Sequence, residues 1–147
     1  MSNVYGGGGG GSASASSTIR YNVGPWKAVN VAQNANSNLG RVGTGASDNY
    51  WVAPRAGTIT AISSDFTANI TAGSATFQVS VDDVFATDAN SVLVIDTNAP
   101  IRYKRQVLTT PIAVNAGQKV SMRLVASAAM LPTGTADPIV DFEFTEG

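Results

Sequence analysis

"SATFQVSVD", residues 74–82, alternates without a break: Phe77, Val79 and Val81 share one parity, and Thr76, Gln78 and Ser80 share the other. A period of two puts successive side chains on opposite faces of an extended chain, so this stretch reads as a strand with one face buried. The pattern recurs outward along the chain. In "QKVSMRLVA" (118–126), Val120, Met122 and Leu124 face one way, and in "PIVDFEF" (138–144) Val140, Phe142 and Phe144 do the same. Further candidate strands are 18–23 and 26–33, split by Gly24-Pro25, then 50–53, 92–96, 101–108 and 111–114. Within 54–67, Ile59 and Ala61 share one parity while Ile62, Ser64 and Phe66 share the other, which predicts a bulge near Ala61 and Ile62.

Composition agrees. The chain has 147 residues, with 16 valines, 8 isoleucines and 14 threonines against 5 leucines. β-Branched side chains suit a pleated surface better than a helix, and no window sustains an apolar period near 3.6 with caps. Eight to ten short strands separated by Gly, Pro, Asn and Asp give an all-β fold. The expected form is a two-sheet antiparallel jelly-roll sandwich over residues 18–147. The polar stretches 34–49 and 83–91 read as long loops, and 97–100 and 115–117 as tight turns.

Residues 1–17 are a different unit, a Gly/Ser-rich arm with too few apolar side chains to fold by itself. Val4 and Tyr5 can anchor it, and Gly6, Gly7, Gly8, Gly9, Gly10 and Gly11 can thread a gap that a Cβ would block. Ordering such a segment costs roughly 1–2 kcal/mol per residue. A repeated lattice of partner subunits offsets that cost by avidity.

The residue inventory narrows the chemistry. With no His and no Cys, the commonest general base and the best nucleophile are absent, so the chain is expected not to be an enzyme. Asp141 and Glu143 share a strand face, a spacing a glycosidase pair can adopt, but their alternation with Val140, Phe142 and Phe144 reads as an ordinary solvent side. Asp82, Asp83 and Asp88 offer carboxylates in one loop, a weak pattern for Ca²⁺ that lacks the EF-hand glycine and terminal Glu. No cofactor is expected. The net charge of −1 lacks the basic excess of a nucleic-acid binder, and no apolar run is long enough to span a membrane. Residues 1–20 carry no secretory pattern. The expectation is a protein made in a cytoplasm that works by contacting other protein.

Two stretches carry a family resemblance. In "WVAPRAGTITAI" (51–62), an aromatic-x-x-Pro-x-x-Gly-Thr-Ile entry leads into a strand; "PIAVNAGQKVSMRLVAS" (111–127) holds a Gly-Gln turn before a second strand. Together with the alternating C-terminal strand they resemble the tumour-necrosis-factor-like jelly rolls. They are especially similar to the small ones of bacteriophage virions, spore surfaces and fibre heads. Gln118 stands where that pattern commonly has Asp, which makes a metal role there less expected. The resemblance implies a homotrimer and an N-terminal arm.

Candidate contact residues follow. Tyr50 and Trp51 are adjacent and must point to opposite faces, and Trp26 lies near the arm. Arg105 falls in register with Ile101, Tyr103 and Val107, so either a shift of register puts Arg105 outside or Arg105 is paired in an interface with a carboxylate of a neighbouring copy. The first functional expectation is a phage capsid decoration or cement protein, assembled in the host cytoplasm and resident in the virion. Its arm would bridge neighbouring subunits of the major capsid protein or another virion protein. The alternative is a receptor- or carbohydrate-binding head of a fibre, using the 34–49 and 83–91 loops with Trp51 or Asp82 to Asp88 against a glycan.

Overall fold

The computed structural model describes residues 18–29, 31–41, 50–98 and 101–147. Among them there is no helix. The strands are β1 (Arg20–Lys27), β2 (Asn36–Asn38), β3 (Gly40–Arg41), β4 (Trp51–Val52), β5 (Gly57–Phe66), β6 (Ser74–Val81), β7 (Val84–Phe85), β8 (Leu93–Asp96), β9 (Tyr103–Val114), β10 (Lys119–Ala126) and β11 (Pro138–Glu146).

They form two antiparallel sheets. Sheet I runs β3-β1-β11-β5-β9. Sheet II is built on the β10–β6 pair, with β2 and β4 along β10, and β7 and β8 along β6. This is a jelly-roll sandwich, as the alternation predicts. Val79, Phe77, Met122 and Leu124 of sheet II face Ile59, Ile62, Phe142 and Phe144 of sheet I, all buried. Aromatic side chains join the layers: Phe66 meets Phe77 at 5.7 Å, and Trp51 of β4 sets its ring edge-on to Phe142 and Phe144 at 5.8 and 5.1 Å.

The bulge in β5 is present, one residue earlier than the parity change predicts. Phe144 pairs with Ile59 and Glu143 with Ala61, which leaves Thr60 extra. It lets Ile59 and Ile62, three residues apart, both turn inward, against Phe144 and Phe142. Four expectations are corrected. Gly24-Pro25 does not divide two strands; it is a cis peptide inside β1, within the register shift between Val23 and Trp26 against β11. The 101–108 and 111–114 segments are one strand, β9, because Ser91 Oγ and Thr110 N–H donate to the carbonyls of Thr110 and Asn90 and hold the interruption in place. The 34–49 stretch is not all loop. Asn36–Asn38 pairs with β10, the buried Leu39 donates its N–H to Met122 O at 3.0 Å, and Gly40–Arg41 pairs with β1. The chain thus crosses from one sheet to the other at Leu39. In 83–91, Val84–Phe85 is a strand that pairs with β6.

β9 is the outer edge of sheet I. Lys104 Nζ donates to Val94 O of β8 at 3.2 Å, so a side chain ties this edge to the opposite sheet.

Candidate functional site

The inward alternation of β11, β5 and β9 leaves an outward set on sheet I. Register aligns it in rows: Ile139, Asp65 and Tyr103; then Asp141, Ser63 and Arg105; then Glu143, Ala61 and Val107. Tyr103, Val107 and Ile139 are 65%, 56% and 50% exposed. A sheet face covered by its own fold would not leave three large apolar side chains in water.

Among them lies an ionic network centred on Glu143. Its carboxylate accepts from Arg105 Nη2 at 3.1 Å and Thr60 Oγ1 at 3.0 Å, and Arg20 Nε is 3.9 Å away. Desolvation pushes the Glu143 carboxyl up, but the hydrogen bonds from Arg105 and Thr60 and the charges of Arg105 and Arg20 outweigh it and hold it below the ordinary range. Asp141, two residues away on the same face, is pushed up by burial. Gly24 of β1 lies so close that a Cβ there would stand 2.9 Å from Asp141 Cβ.

The residues singled out from sequence fall in different places. Tyr103 and Arg105 sit together on the outer face of sheet I. The acidic partner of Arg105 is Glu143 of the same chain, not a carboxylate that must come from another copy. Trp26 is core rather than contact surface: it is wholly buried and stacks on Phe142 at 5.2 Å. Trp51 turns inward and Tyr50 outward, toward sheet II's outer side. Val4, Tyr5 and Gly6 to Gly11 lie outside the described residues. Val107 and Ile139 also belong to the exposed set; sequence reasoning placed Val107 beside Tyr103 and Arg105 but missed Ile139, which shares the parity of Asp141 and Glu143.

The aspartate loop is a turn. Asp82 and Asp83 form the two-residue connection between β6 and β7, with φ of 49° and 68°. Asp82 accepts from the Lys119 backbone N–H at 2.9 Å and from Gln118 Nε2 at 3.0 Å, and these bonds lower its pKa. Asp88 accepts from its own loop, at Asn90 N–H, 2.7 Å. Among the described residues no group of three or more His, Cys, Asp or Glu side chains is placed to hold a metal ion.

No protein-family model and no curated protein matches the chain. Among solved structures it is similar to a chain in the acidic stable capsid structure of Helicobacter pylori bacteriophage KHP30, at 13% identity. That alignment covers 86% of this chain and 93% of the other with a TM-score of 0.45, a likeness too loose to carry an argument.

Proposed function

We propose that this chain is a structural protein of a bacteriophage virion. In this reading it is a capsid decoration protein that trimerises through the outer face of sheet I and bridges capsid subunits with residues 1–17. The observation that carries the reading is the exposed trio Tyr103, Val107 and Ile139 around the Arg105–Glu143 ion pair. Apolar aromatic and aliphatic groups beside a fixed ion pair are the composition of a contact centre. The resemblance of residues 51–62 and 111–127 to tumour-necrosis-factor-like jelly rolls supplies the trimer. A protein that binds only the assembled shell stabilises it by mass action, subunit by subunit.

The mass of the full chain in solution tests the first half. The expected species is a trimer, and Tyr103→Asp with Val107→Asp yields a folded monomer. A wild-type monomer at all accessible concentrations overturns the assembly. Co-sedimentation with capsids of the phage that encodes the chain tests the second half. Full-length protein pellets with capsids, and protein lacking residues 1–17 stays in the supernatant. Retained capsid binding after that truncation overturns the arm's role. A glycan- or cell-binding activity that survives it favours the fibre-head reading.

A further inference from the structure

The outer face of sheet II carries an arrangement of a different kind. β4 and β2 both pair with β10, but at opposite ends: Lys119 and Val120 with Val52 and Trp51, and Arg123 to Val125 with Asn38 to Asn36. Between them, among the described residues, no strand pairs with β10 at Ser121 on this side. Ser121 pairs with Ser80, and Ser80 with Phe85. One further step in the Trp51–Val120 register sets Tyr50 opposite Ser121. Tyr50, just before β4, thus continues the row that Ser121, Ser80 and Phe85 form across β10, β6 and β7, two aromatic side chains flanking two hydroxyls. They line a cavity of about 210 Å³ that Asn38, Asp83 and Lys119 help to close.

Each part is held. The Arg123 guanidinium lies 3.8 Å from the Phe85 ring centroid and donates to Gln78 Oε1 at 2.8 Å, which fixes the ring from one side. Lys119 Nζ lies 5.4 Å from the Tyr50 centroid and 3.4 Å from Asp83 Oδ2, so its charge is matched. Ser80 is 1% exposed, and its Oγ is 2.6 Å from Ser121 Oγ. The pair uses one O–H between them. The second hydroxyl hydrogen and the remaining lone pairs have no other partner among the described residues.

We infer that this cavity is a binding site for a single neutral pyranose ring. The volume is below the roughly 300–1,000 Å³ of drug-sized pockets, which limits the ligand to about one ring. A pyranose presents C–H groups to the aromatic walls and hydroxyls that both donate and accept, matching the serine pair, the Asn38 amide and the Lys119–Asp83 pair. The matched Lys119 and Asp83 charges favour an uncharged ligand over an anionic one. This inference uses sheet II alone and does not depend on the assembly proposed for sheet I.

Saturation-transfer NMR on the full chain with glucose, galactose, mannose and N-acetylglucosamine tests it, together with amide-shift mapping. The expected result is transfer to ring C–H protons of at least one sugar, with Kd on the order of 1 mM, and shifts centred on Asn38, Ser80, Lys119 and Ser121. Tyr50→Ala and Ser121→Val, each checked for a native melting transition, weaken binding about tenfold; Lys27→Ala, an exposed position on the other sheet, does not. If a variant fails to fold, the wild-type shift map decides. No transfer with any of the sugars, shifts centred elsewhere, or uptake of aromatic solutes only overturns the inference. An immobilised oligosaccharide ending in the bound sugar separates the sources: binding to it assigns a glycan end, and binding to the monosaccharide alone assigns a free sugar.

Discussion

Asp141 and Glu143 are separated by one residue, face the same way, and titrate in opposite directions. Burial alone raises Asp141 above its ordinary 3.8. A raised carboxyl contributes stability that is complete below 3.8 and is lost as pH rises through the folded value. Glu143 is lowered from 4.5, so its contribution is present above 4.5 and is lost as pH falls through the folded value. Asp141→Asn is therefore expected to melt higher than the wild type at neutral pH, with the gain shrinking in acid. Glu143→Gln melts lower at neutral pH, with the loss shrinking in acid. Thermal melts across pH check both signs. Core polarity adds a second prediction. Ser64 is buried and its Oγ has no hydrogen-bond partner among the described residues. Ser64→Ala removes a desolvated hydroxyl and is expected to leave the unfolding free energy from chemical denaturation unchanged or raise it by up to about 1–2 kcal/mol.

At the scale of the element, close approach and turn chemistry decide. Gly57 opens β5 where the chain passes against Thr145 O and the Phe144 ring, and a Cβ there collides with both. Gly57→Ala is expected to destabilise by about 1–3 kcal/mol in chemical denaturation, because one contact is backbone that cannot rotate away. The β6–β7 turn points the other way. Asp82 and Asp83 both hold positive φ, as a type I′ hairpin requires. Asp83→Gly relieves that strain and raises stability by up to about 1 kcal/mol, less the small contribution of an exposed pair with Lys119. The long alternating strands were legible in sequence because each buries one face for its whole length. β2 and β3 were not: "NSNLGR" has a single apolar residue, Leu39, and its strand character comes from carbonyls of β10 and backbone of β1. The interruption at Thr109-Thr110-Pro111 read as an end because the bonds from Asn90 and Ser91 that carry β9 through it are remote in sequence.

For the whole molecule, the two-sheet sandwich was readable from parity and composition, and so was the shared face of Tyr103, Arg105 and Val107, though not that all three point outward. The side on which Trp26 falls was not. Its neighbours Gly24 and Pro25 shift the register, and only pairing with β11 shows the indole turned onto Phe142. The Tyr50–Ser121–Ser80–Phe85 row was invisible for a related reason: three separate pairings must be known before four distant residues line up. β1 starts at Arg20, and its partners β11 and β3 lie within the described residues. Removing residues 1–17 is therefore expected to leave the melting temperature unchanged, as calorimetry of the shortened chain would establish.

The rim of sheet I carries one more implication. β9 ends that sheet with twelve residues, long enough to template an additional strand from another molecule. Pro111 withholds an amide from it, Lys104 and Arg105 place cations along it, and Lys104 is already fastened to Val94 O. These features discourage open-ended ribbon growth at the rim.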